Sequence, residues 1–510
     1  MVFSSGLFLF LFLTVTLAGY YLAGRRGGNV WLLLASLFFF GYSHPKHLLV
    51  ILAGIVINYV AALLISSIDN KSPVKAKGPK ANVPKSNAVN WPRILILVAA
   101  VFLNLGILFY FKYFGFATQT AGRLLGKALS VPDVLMPIGI SFFTFQGMSY
   151  VIDVFRRDVP AQKNPLHVAL YIVLFPQLIA GPIVRYKEIA GEILNRQVSL
   201  ADFTDGISRF LTGLAKKALV ANTLAIAADA IWSNPVHENT PVIAWFGSIA
   251  YTLQIYYDFS GYSDMAIGLG RMFGFHFPEN FDLPYVSKSI SEFWRRWHIS
   301  LGSWFRDYVY IPLGGNRRHV FFNLGLVFLL TGIWHGAAWH FILWGVWHGF
   351  FILAERLVKV IFSKKTTSSA DNPKSGTITS NSKLTPWSVV KAVLSTCYAM
   401  AVVHIGWVLF RAPSLREAVT YLKAMFGLNK DLLHPGFTLG WYLDHYTLLI
   451  LILAVLFAGP LPRLLGCFIK KKLSEPAVLI LTRLALLILF VLSVISIVSG
   501  SYNPFIYFQF

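Results

Sequence analysis

Histidines are the chemically notable residues of this sequence, and three of them lie within one apolar segment. His335, His340 and His348 fall in the 35 residues from Val320 to Ala354, which contain no Asp, Glu, Lys or Arg. Burial in such a segment favours the uncharged imidazole. A neutral imidazole can accept a proton from a hydroxyl group, and this general-base assistance speeds a reaction by roughly 10²–10⁴-fold. The segment therefore indicates chemistry at a hydroxyl group.

His335 is the strongest candidate base. It lies between Trp334 and Gly336, and the glycine predicts room beside the ring for a substrate. The three histidines are five, eight and thirteen positions apart, which does not match the spacing of helical metal ligands. His340 and His348 are equally compatible with packed histidines. Because the sequence has neither a Gly-x-Ser-x-Gly elbow nor a P-loop, the simplest hypothesis is that a hydroxyl activated by His335 attacks an acyl carbonyl directly.

A second histidine, His298, lies in a strongly cationic stretch that runs from Glu292 to Ser300 and includes Arg295 and Arg296. Tryptophan and arginine at this density are typical of an interfacial anchor at headgroup depth. Arginine also binds phosphates bidentately, so the same residues could bind a phosphate-bearing acyl donor. Both interpretations stay open.

A third polar patch lies in the stretch 254–264. It contains Asp258, Tyr262 and Asp264, with Tyr257 and Ser260 able to hydrogen-bond the carboxylates. Carboxylates inside a membrane are costly and are therefore candidates for function. With Trp334, these residues complete the predicted set of substrate- or donor-binding side chains. The alternative is that the two aspartates are structural partners of the nearby arginines.

The composition shows which solvent surrounds these residues. Hydrophobic residues make up 56% of the 510, and charged residues make up 13%, about half of the roughly 25% that is usual in soluble domains. Uncharged stretches recur, each near or above the roughly 20 residues that cross a bilayer: Met1–Gly24, Leu48–Ile68, Ile94–Phe111, Val134–Ile152, Asn239–Tyr257, Val320–Ala354, Ala392–Phe410 and Leu484–Phe510. The sequence predicts an all-α polytopic integral membrane protein.

The net charge of +22 supports this prediction. Basic residues concentrate in three loops, at 71–93, 364–391 and 470–472, and the positive-inside rule places such loops in the cytoplasm. A nucleic-acid partner is disfavoured because the loops are separate and lack interleaved aromatic residues. The first apolar stretch lacks a basic start and is not predicted to be a cleaved signal peptide. Alternating the spans from Arg25 onward puts both termini outside.

The middle of the chain is less regular. The stretches 184–217 and 277–319 mix charged with apolar residues, as interfacial helices do. Pro and Gly break helices at 180–182 and 312–315. Irregular backbone at membrane depth requires burial in protein or a wet cavity, so we expect a bundle that is hollow at its centre. The prediction is one membrane domain over 1–510, with flexible cytoplasmic loops near 69–93 and 363–391.

Several long motifs in order resemble the bacterial membrane-bound O-acyltransferase (MBOAT) family, and within it the branch that acetylates alginate. The motifs are Glu292–Ser300 (EFWRRWHIS), Arg306–Asn316 (RDYVYIPLGGN), Thr331–Gly336 (TGIWHG), Tyr257–Gly270 (YDFSGYSDMAIGLG), Pro137–Phe142 (PIGISF), Ile179–Pro182 (IAGP) and the start Met1–Ser5 (MVFSS). The likeness covers essentially the whole chain. It is weakest in the two long basic loops and in the C-terminal helices from 387 onward.

The resemblance implies a ring of roughly 10–13 transmembrane helices, with interfacial and re-entrant helices, around a central funnel. The near-invariant histidine of the family maps onto His335 at the base of the funnel, and the histidine of the Trp-Arg-Arg-Trp-His motif maps onto His298. The family moves acyl groups from a cytoplasmic thioester toward an extracytoplasmic acceptor. It implies acetyl-CoA or another thioester as donor substrate, no tightly bound cofactor, no metal, and an extracytoplasmic partner acetyltransferase.

Together these observations predict an O-acetyltransferase of an exported polysaccharide in the bacterial cytoplasmic membrane. The nearest alternatives are O-acetylation of peptidoglycan and D-alanylation of teichoic acid. An alternative from another class is a non-catalytic exporter or scaffold of a polysaccharide secretion complex. A transporter needs a continuous polar path and no indispensable histidine, whereas an enzyme loses turnover when one histidine is changed.

Overall fold

A computed structural model of the chain describes residues 1–70, 90–131, 134–235, 238–367, 385–428, 437–500, 502, 503 and 506. Within these residues the secondary structure is helical, apart from one isolated bridge between Phe281 and Trp297. The basic loops expected to be cytoplasmic at 71–93 and 366–383 lie largely outside the described residues. The all-α prediction is confirmed.

The chain divides into two compact units. Unit 1 comprises Met1–Leu214 and Tyr262–Pro278, and unit 2 comprises Ala215–Gly261 and Glu279–Phe510. The first nine helices are α1 (Leu13–Gly41), α2 (His47–Asn70), α3 (Trp91–Leu108), α4 (Phe114–Leu125), α5 (Ile140–Arg156), α6 (Pro165–Val173), α7 (Phe175–Leu178), α8 (Tyr186–Asn195) and α9 (Leu200–Ala215).

The remaining helices begin with α10 (Asn222–Ser233), which continues α9 through a π-helical turn, and α11 (Pro241–Met272), which contributes to both units. They continue with α12 (Ile290–Arg296), α13 (Ile299–Phe305), α14 (Val320–His335), α15 (Trp339–Thr367), α16 (Pro386–Arg411), α17 (Leu415–Met425), α18 (Leu439–Tyr442), α19 (His445–Phe457), α20 (Leu461–Lys472) and α21 (Glu475–Ser499).

Among the described residues, seven helices are long and apolar enough to cross a membrane, and eight if α19 and α20, bent by 75° at their junction, count as one broken span. The expected number was larger. Of the remaining apolar or long helices, α5 and α14 have only 17 and 16 residues, and α11 is long but mixes polar residues such as Gln254, Asp258 and Asp264 with its apolar ones. The chain is therefore a multi-pass membrane protein.

The helical segment Leu7–Gly41 is a hairpin. Gly24 has φ 59° and ψ −165°, which breaks α1. The Trp31 indole N–H donates to the Thr16 carbonyl at 2.9 Å, and the rings of Phe8 and Phe39 lie 6.0 Å apart. In a straight helix residues 8 and 39 would be separated by roughly 46 Å. The chain therefore reverses near Gly24, in agreement with the predicted alternation of spans from Arg25 onward.

Ion pairs in unit 1 join charged residues at the termini of three helices. Asp69, near the end of α2, pairs with Arg93 of α3 at 3.1 Å and with Arg157 beyond α5 at 2.7 Å. The predicted alternation of spans puts these three helix termini on one side of the membrane, and the ion pairs confirm that they lie together. Which side is cytoplasmic stays a prediction.

Two expected boundaries are wrong. The stretch 200–217 is not a separate interfacial helix, because α9 continues through α10 as a 34-residue apolar segment, Leu200–Ser233. The span expected from Val134 begins only at Ile140, since Pro137 cannot donate a helical hydrogen bond and Gly139 adopts φ 72°. The predicted breaks at 180–182 and 312–315 are confirmed as turns.

Candidate active site

His335 is the last residue of α14. Gly336 adopts extended backbone, with φ −170° and ψ 158°, and α15 begins three residues later at Trp339. His335 is 3% exposed. Its ring makes edge-on contacts with Trp334, Trp344 and Phe410, with centroids 5.0, 4.9 and 5.4 Å away. The imidazole is therefore buried among aromatic rings, as the uncharged sequence segment indicated.

Glycines allow α14 and α15 to cross closely enough to bury this ring. A Cβ atom on Gly332 would lie 2.5 Å from the carbonyl oxygen of Phe341, and one on Gly345 would overlap the carbonyl oxygen of Phe328. Backbone atoms cannot move aside as flexible side chains can, so both positions require glycine. The crossing places Trp344 of α15 against His335.

The expectation of open space beside Gly336 is wrong. A Cβ atom on Gly336 would overlap the ring of Phe341. The ring of Phe341 therefore occupies the space that the glycine leaves, and Phe341 itself packs against Phe410 with centroids 5.0 Å apart. The glycine serves aromatic packing.

His298 precedes α13 and is fully buried. It adopts φ 47° and ψ 53°, a left-handed conformation that costs a non-glycine residue about 1 kcal/mol or more and is concentrated at functional sites. Its Nδ1 lies 3.1 Å from Asn280 Oδ1, whereas its Nε2 is buried without a hydrogen-bond partner in the described part of the chain. Burial lowers the pKa of His298 to about 3, so the ring is neutral at physiological pH.

The two candidate catalytic histidines share one aromatic neighbour. Trp334 packs against the ring of His298, with centroids 5.8 Å apart, and against the ring of His335 at 5.0 Å. Phe259 of α11 covers His298 edge-on at 4.7 Å. The fold thus brings His298 of the EFWRRWHIS motif together with Trp334 and His335 of the TGIWHG motif in one cluster of unit 2.

The paired arginines have different surroundings. Arg296 lies 2.9 Å from Glu292 and 3.2 Å from Asp282, and Asp282 also pairs with Arg463 of α20 at 2.7 Å. Arg295 donates to the carbonyl of Ser291 at 3.2 Å and lines a cavity. The neighbouring carboxylates favour a structural role for Arg296, so Arg295 is the stronger candidate for binding an anionic ligand.

The cavity lies in unit 2 and has a volume of about 490 Å³. Over the described part of the chain, its wall carries four cationic side chains, no carboxylate and several apolar groups. The cationic residues are Arg295, Arg306, Arg356 and Lys359, of which Arg306 is paired with Asp307 at 2.7 Å. Thr331, one helical turn before His335 on α14, also lines it, as does Trp294, whose ring lies 5.5 Å from that of Trp344. Such a site suits a ligand with both phosphate and apolar parts.

The carboxylates of the third polar patch belong to ion pairs. Asp258 lies 2.6 Å from Lys217 Nζ, with both side chains 2% exposed, and accepts the backbone N–H of Ile506 at 2.9 Å. Asp264 lies 2.6 Å from Arg209, within unit 1. Their partners are therefore a lysine and an arginine of the α9–α10 segment, not the arginines of the EFWRRWHIS motif.

Tyr262 also belongs to unit 1, where its ring stacks on that of Phe3 with centroids 4.5 Å apart. Tyr262 is 1% exposed and Phe3 is fully buried. This packing accounts for a large aromatic residue at the position. Together with the two ion pairs, it favours structural roles for Asp258, Tyr262 and Asp264.

The other two histidines of the apolar segment, His340 and His348, lie on α15, so the break after α14 separates them from His335. His348 is fully buried between Trp294 and Trp344, at 5.3 and 5.1 Å, and neither ring nitrogen has a hydrogen-bond partner among the described residues. His340 packs on Phe341 at 4.1 Å. Over the same part of the chain, no group of three or more His, Cys, Asp or Glu residues is positioned for a metal ion.

Sequence reasoning missed several residues of this region. Arg356 and Lys359 follow the apolar run on α15 at helical spacing, and that periodicity was the available signal. Asn280 gave no signal, because its contact with His298 depends on the fold. His404 lies 3.0 Å from the Ser248 hydroxyl and 2.9 Å from the Thr252 hydroxyl; its hydrogen bonds identify it as a structural histidine of α16.

Comparison with known proteins extends these observations. Residues 142–373 match the membrane-bound O-acyltransferase family. The chain is 38% identical to the "Probable alginate O-acetylase AlgI" of Pseudomonas putida, over the full length of both chains. It is 31% identical to the peptidoglycan O-acetyltransferase of Helicobacter pylori, over 90% of this chain and 86% of the relative. It is 33% identical to the teichoic acid D-alanyltransferase of Bacillus subtilis, over 39% of this chain and 54% of that relative.

Proposed function

We propose that this chain, which belongs to the membrane-bound O-acyltransferase family and is an O-acyltransferase, transfers acetyl groups toward hydroxyls of an exported polysaccharide. The donor in this proposal is a cytoplasmic thioester, acetyl-CoA or a carrier-bound equivalent. The chain lies in the cytoplasmic membrane, and an extracytoplasmic partner acetyltransferase completes the modification. The full-length similarity to alginate O-acetylases supports an acetyl group and a polysaccharide.

One observation carries the proposed mechanism: His335 ends a helix inside an aromatic cluster that it shares with His298. As general base, His335 accepts the proton of the acceptor hydroxyl while the hydroxyl oxygen attacks the thioester carbonyl. The C–O bond forms, the C–S bond breaks, and the imidazolium returns its proton to the departing thiolate. No charged carboxylate or metal has to enter this sequence of steps.

His298 is the second catalytic histidine of the proposal. Its ring is neutral and its Nε2 is unoccupied by any hydrogen bond from the described residues. The Nε2 lone pair accepts a hydrogen bond from a second hydroxyl of the acceptor and so orients the attacking group. Correct orientation lowers the barrier because the reacting atoms are held close together before the reaction.

The cationic cavity is the proposed donor site. Arg295, Arg306, Arg356 and Lys359 bind the phosphates of the donor, and the apolar wall around Phe328 and Trp294 accommodates its uncharged arm. Thr331 lines this cavity and lies on the same helix as His335. Arginine is suited to this task, because its planar fork binds phosphate oxygens bidentately.

The experiment that tests the proposal compares exported glycans from host cells that lack the gene or carry it as wild type, His335→Ala or His340→Ala. We expect glycan acetyl groups to be lost without the gene and with His335→Ala, and to be retained with His340→Ala, each normalised to folded membrane protein. Near-normal acetylation by well-expressed His335→Ala would overturn the mechanism. Unchanged polysaccharide in the strain that lacks the gene would overturn the proposed function.

The same mass spectrometry separates the alternatives. The similarity to a peptidoglycan O-acetyltransferase over most of both chains makes peptidoglycan the second candidate acceptor. Acetyl groups missing from peptidoglycan, with the exported polysaccharide unchanged, would identify that acceptor. Loss of D-alanyl esters would identify teichoic acid. Loss of the polysaccharide itself, irrespective of its acetylation, would indicate an export role.

A further inference from the structure

Asn280 makes contacts that determine where the His298 proton lies. Its side-chain oxygen Oδ1 accepts the backbone N–H of Ser300 at 3.2 Å and the Ser300 hydroxyl at 2.9 Å. The same oxygen lies 3.1 Å from Nδ1 of His298. Asn280 and His298 are both fully buried, so water does not compete for these contacts.

The Ser300 backbone N–H settles the orientation of the Asn280 amide. A backbone N–H can only donate, so the group that faces it is the amide oxygen and not the NH₂. The Ser300 hydroxyl lies 3.5 Å from Nδ1 of His298 but 2.9 Å from the amide oxygen, so it donates to the oxygen. An amide oxygen can only accept, so the ring nitrogen 3.1 Å from it carries the proton. A neutral imidazole has one N–H. With that proton on Nδ1, the Nε2 of His298 holds a lone pair.

The backbone around the two residues holds this geometry. The Ile299 N–H donates to the Asn280 carbonyl at 3.0 Å, and the Asp282 N–H donates to the Arg296 carbonyl at 2.9 Å. Because these bonds use main-chain atoms, a change confined to the Asn280 side chain leaves the pairing of the two segments in place. His298 retains its left-handed conformation between them.

We propose that Asn280 is a positioning residue that fixes the Nδ1–H tautomer of His298 and thereby keeps Nε2 as a hydrogen-bond acceptor. The buried Nε2 lies on the opposite edge of the ring, in the cluster that Phe259 and Trp334 form around it. The proposal rests on the proposed function for its consequence, because an acceptor at Nε2 matters only if a substrate hydroxyl reaches it. The tautomer itself is independent of the activity.

The tautomer can be measured by solid-state ¹⁵N NMR of histidine-labelled protein in bilayers. The chain has 13 histidines, and the difference between wild type and His298→Gln assigns the His298 signals. We expect a protonated Nδ1 and an unprotonated Nε2 in the wild type. In Asn280→Ala we expect a mixture of tautomers, whereas Ser300→Ala, which retains the backbone N–H, keeps the wild-type pattern.

Activity measurements complete the test. In Asn280→Ala we expect kcat for acetyl transfer to fall roughly 10²-fold, the lower range for loss of a positioned acid–base group, with donor binding unchanged. Asn280→Asp retains an acceptor at this position, so it should keep the tautomer and recover part of kcat. Its added negative charge favours the imidazolium, which shifts the acidic limb of the pH–rate profile to higher pH.

A wild-type His298 protonated on Nε2 would overturn the proposal, whether or not the Asn280 variants fold. An Asn280→Ala protein with the wild-type tautomer would do the same. The tautomer of His298 and the proposed function can be tested separately. If the wild-type protein transfers no acetyl group but shows the expected tautomer, the proposed function is wrong and the assignment of Asn280 stands.

Discussion

Two histidines in different units of the chain are set up for opposite charge states. His276 of unit 1 is half-exposed, with Nδ1 2.8 Å from Glu192 and Nε2 3.5 Å from Asp202. The hydrogen bond with Glu192 is the main cause that raises the pKa of His276. His298 of unit 2 is buried beside the neutral Asn280, and burial lowers its pKa to about 3.

The difference shows what a histidine base inside a membrane protein requires. Carboxylates beside His276 stabilise its cation, and a cation cannot accept a proton. In unit 2 the rings around His298 and His335 are aromatic, while the nearby Glu292 and Asp282 pair with Arg296. The two arginines of the EFWRRWHIS motif therefore have different roles. Arg296 neutralises Glu292 and Asp282, and Arg295 lines the cationic cavity.

The largest effect is expected where helix packing holds His335. In Gly345→Ala the new methyl group would overlap the Phe328 carbonyl oxygen and lie 2.9 Å from the Gly332 Cα atom. Overpacking of this kind costs roughly 1–3 kcal/mol and separates α14 from α15, so acetyl transfer should fall sharply along with thermal stability. The measurement is glycan acetylation per folded protein, together with the melting temperature in detergent.

Gly325→Ala is the matched control on α14. A Cβ atom there meets only a Leu353 methyl carbon at 4.0 Å, and alanine favours the helix by about 1 kcal/mol over glycine. We expect full activity and unchanged or higher stability. Equal losses in Gly345→Ala and Gly325→Ala would contradict the view that the close crossing positions His335.

The second effect distinguishes the two arginines. Arg295→Ala should weaken binding of acetyl-CoA with little change in melting temperature, because Arg295 lines the cavity and has no carboxylate partner among the described residues. Arg296→Ala should lower the melting temperature and leave donor affinity in the folded fraction unchanged, because Glu292 loses its ion-pair partner and Asp282 keeps only Arg463. Arg295→Lys should restore donor binding only in part.

Isothermal titration of both purified variants with acetyl-CoA is the measurement. A reversed pattern, with donor affinity lost in Arg296→Ala and stability lost in Arg295→Ala, would refute this division of roles. Loss of affinity in both variants with unchanged stability would place both arginines in the donor site, which is one of the two interpretations that the sequence left open.

The smallest effect is the pH dependence of unit 1. The pKa of His276 is raised above its ordinary 6.5, so its ion pairs stabilise the folded protein fully below pH 6.5, and the contribution disappears as pH rises through the higher folded value. His276→Gln should therefore lower the melting temperature at pH 5.5 and leave it nearly unchanged at pH 9; an equal decrease at both would contradict the assignment.

The sequence predicted the helical class, most of the spans and the two catalytic candidates, because each has a local signal. Uncharged runs give spans, and His335 and His298 each lie in a distinctive motif. Trp334 adjoins His335 in the sequence, but its contact with His298, 36 positions earlier, depends on the fold. The reversal at Gly24 was also predictable, since charged residues interrupt the apolar pattern directly after it.

Partners that are distant in sequence could not be predicted. Asp258 pairs with Lys217, 41 positions earlier, and Arg463 with Asp282, 181 positions earlier. The sequence shows that these charges need partners but not which ones, because the choice depends on how helices pack. Gly336 was misinterpreted for the same reason: a glycine indicates close approach, but the approaching group, Phe341, is fixed by the turn between α14 and α15.

The central claim is that the His335 imidazole accepts the proton of the attacking hydroxyl. The most direct measurement takes purified wild-type and His335→Gln protein in bilayers and records, in the same samples, acetyl-CoA binding and transfer of labelled acetyl to the acceptor. Glutamine retains hydrogen bonding but cannot accept the proton. The account predicts unchanged donor binding and a transfer rate at least roughly 10²-fold lower. Transfer at a near wild-type rate by folded His335→Gln protein would contradict it.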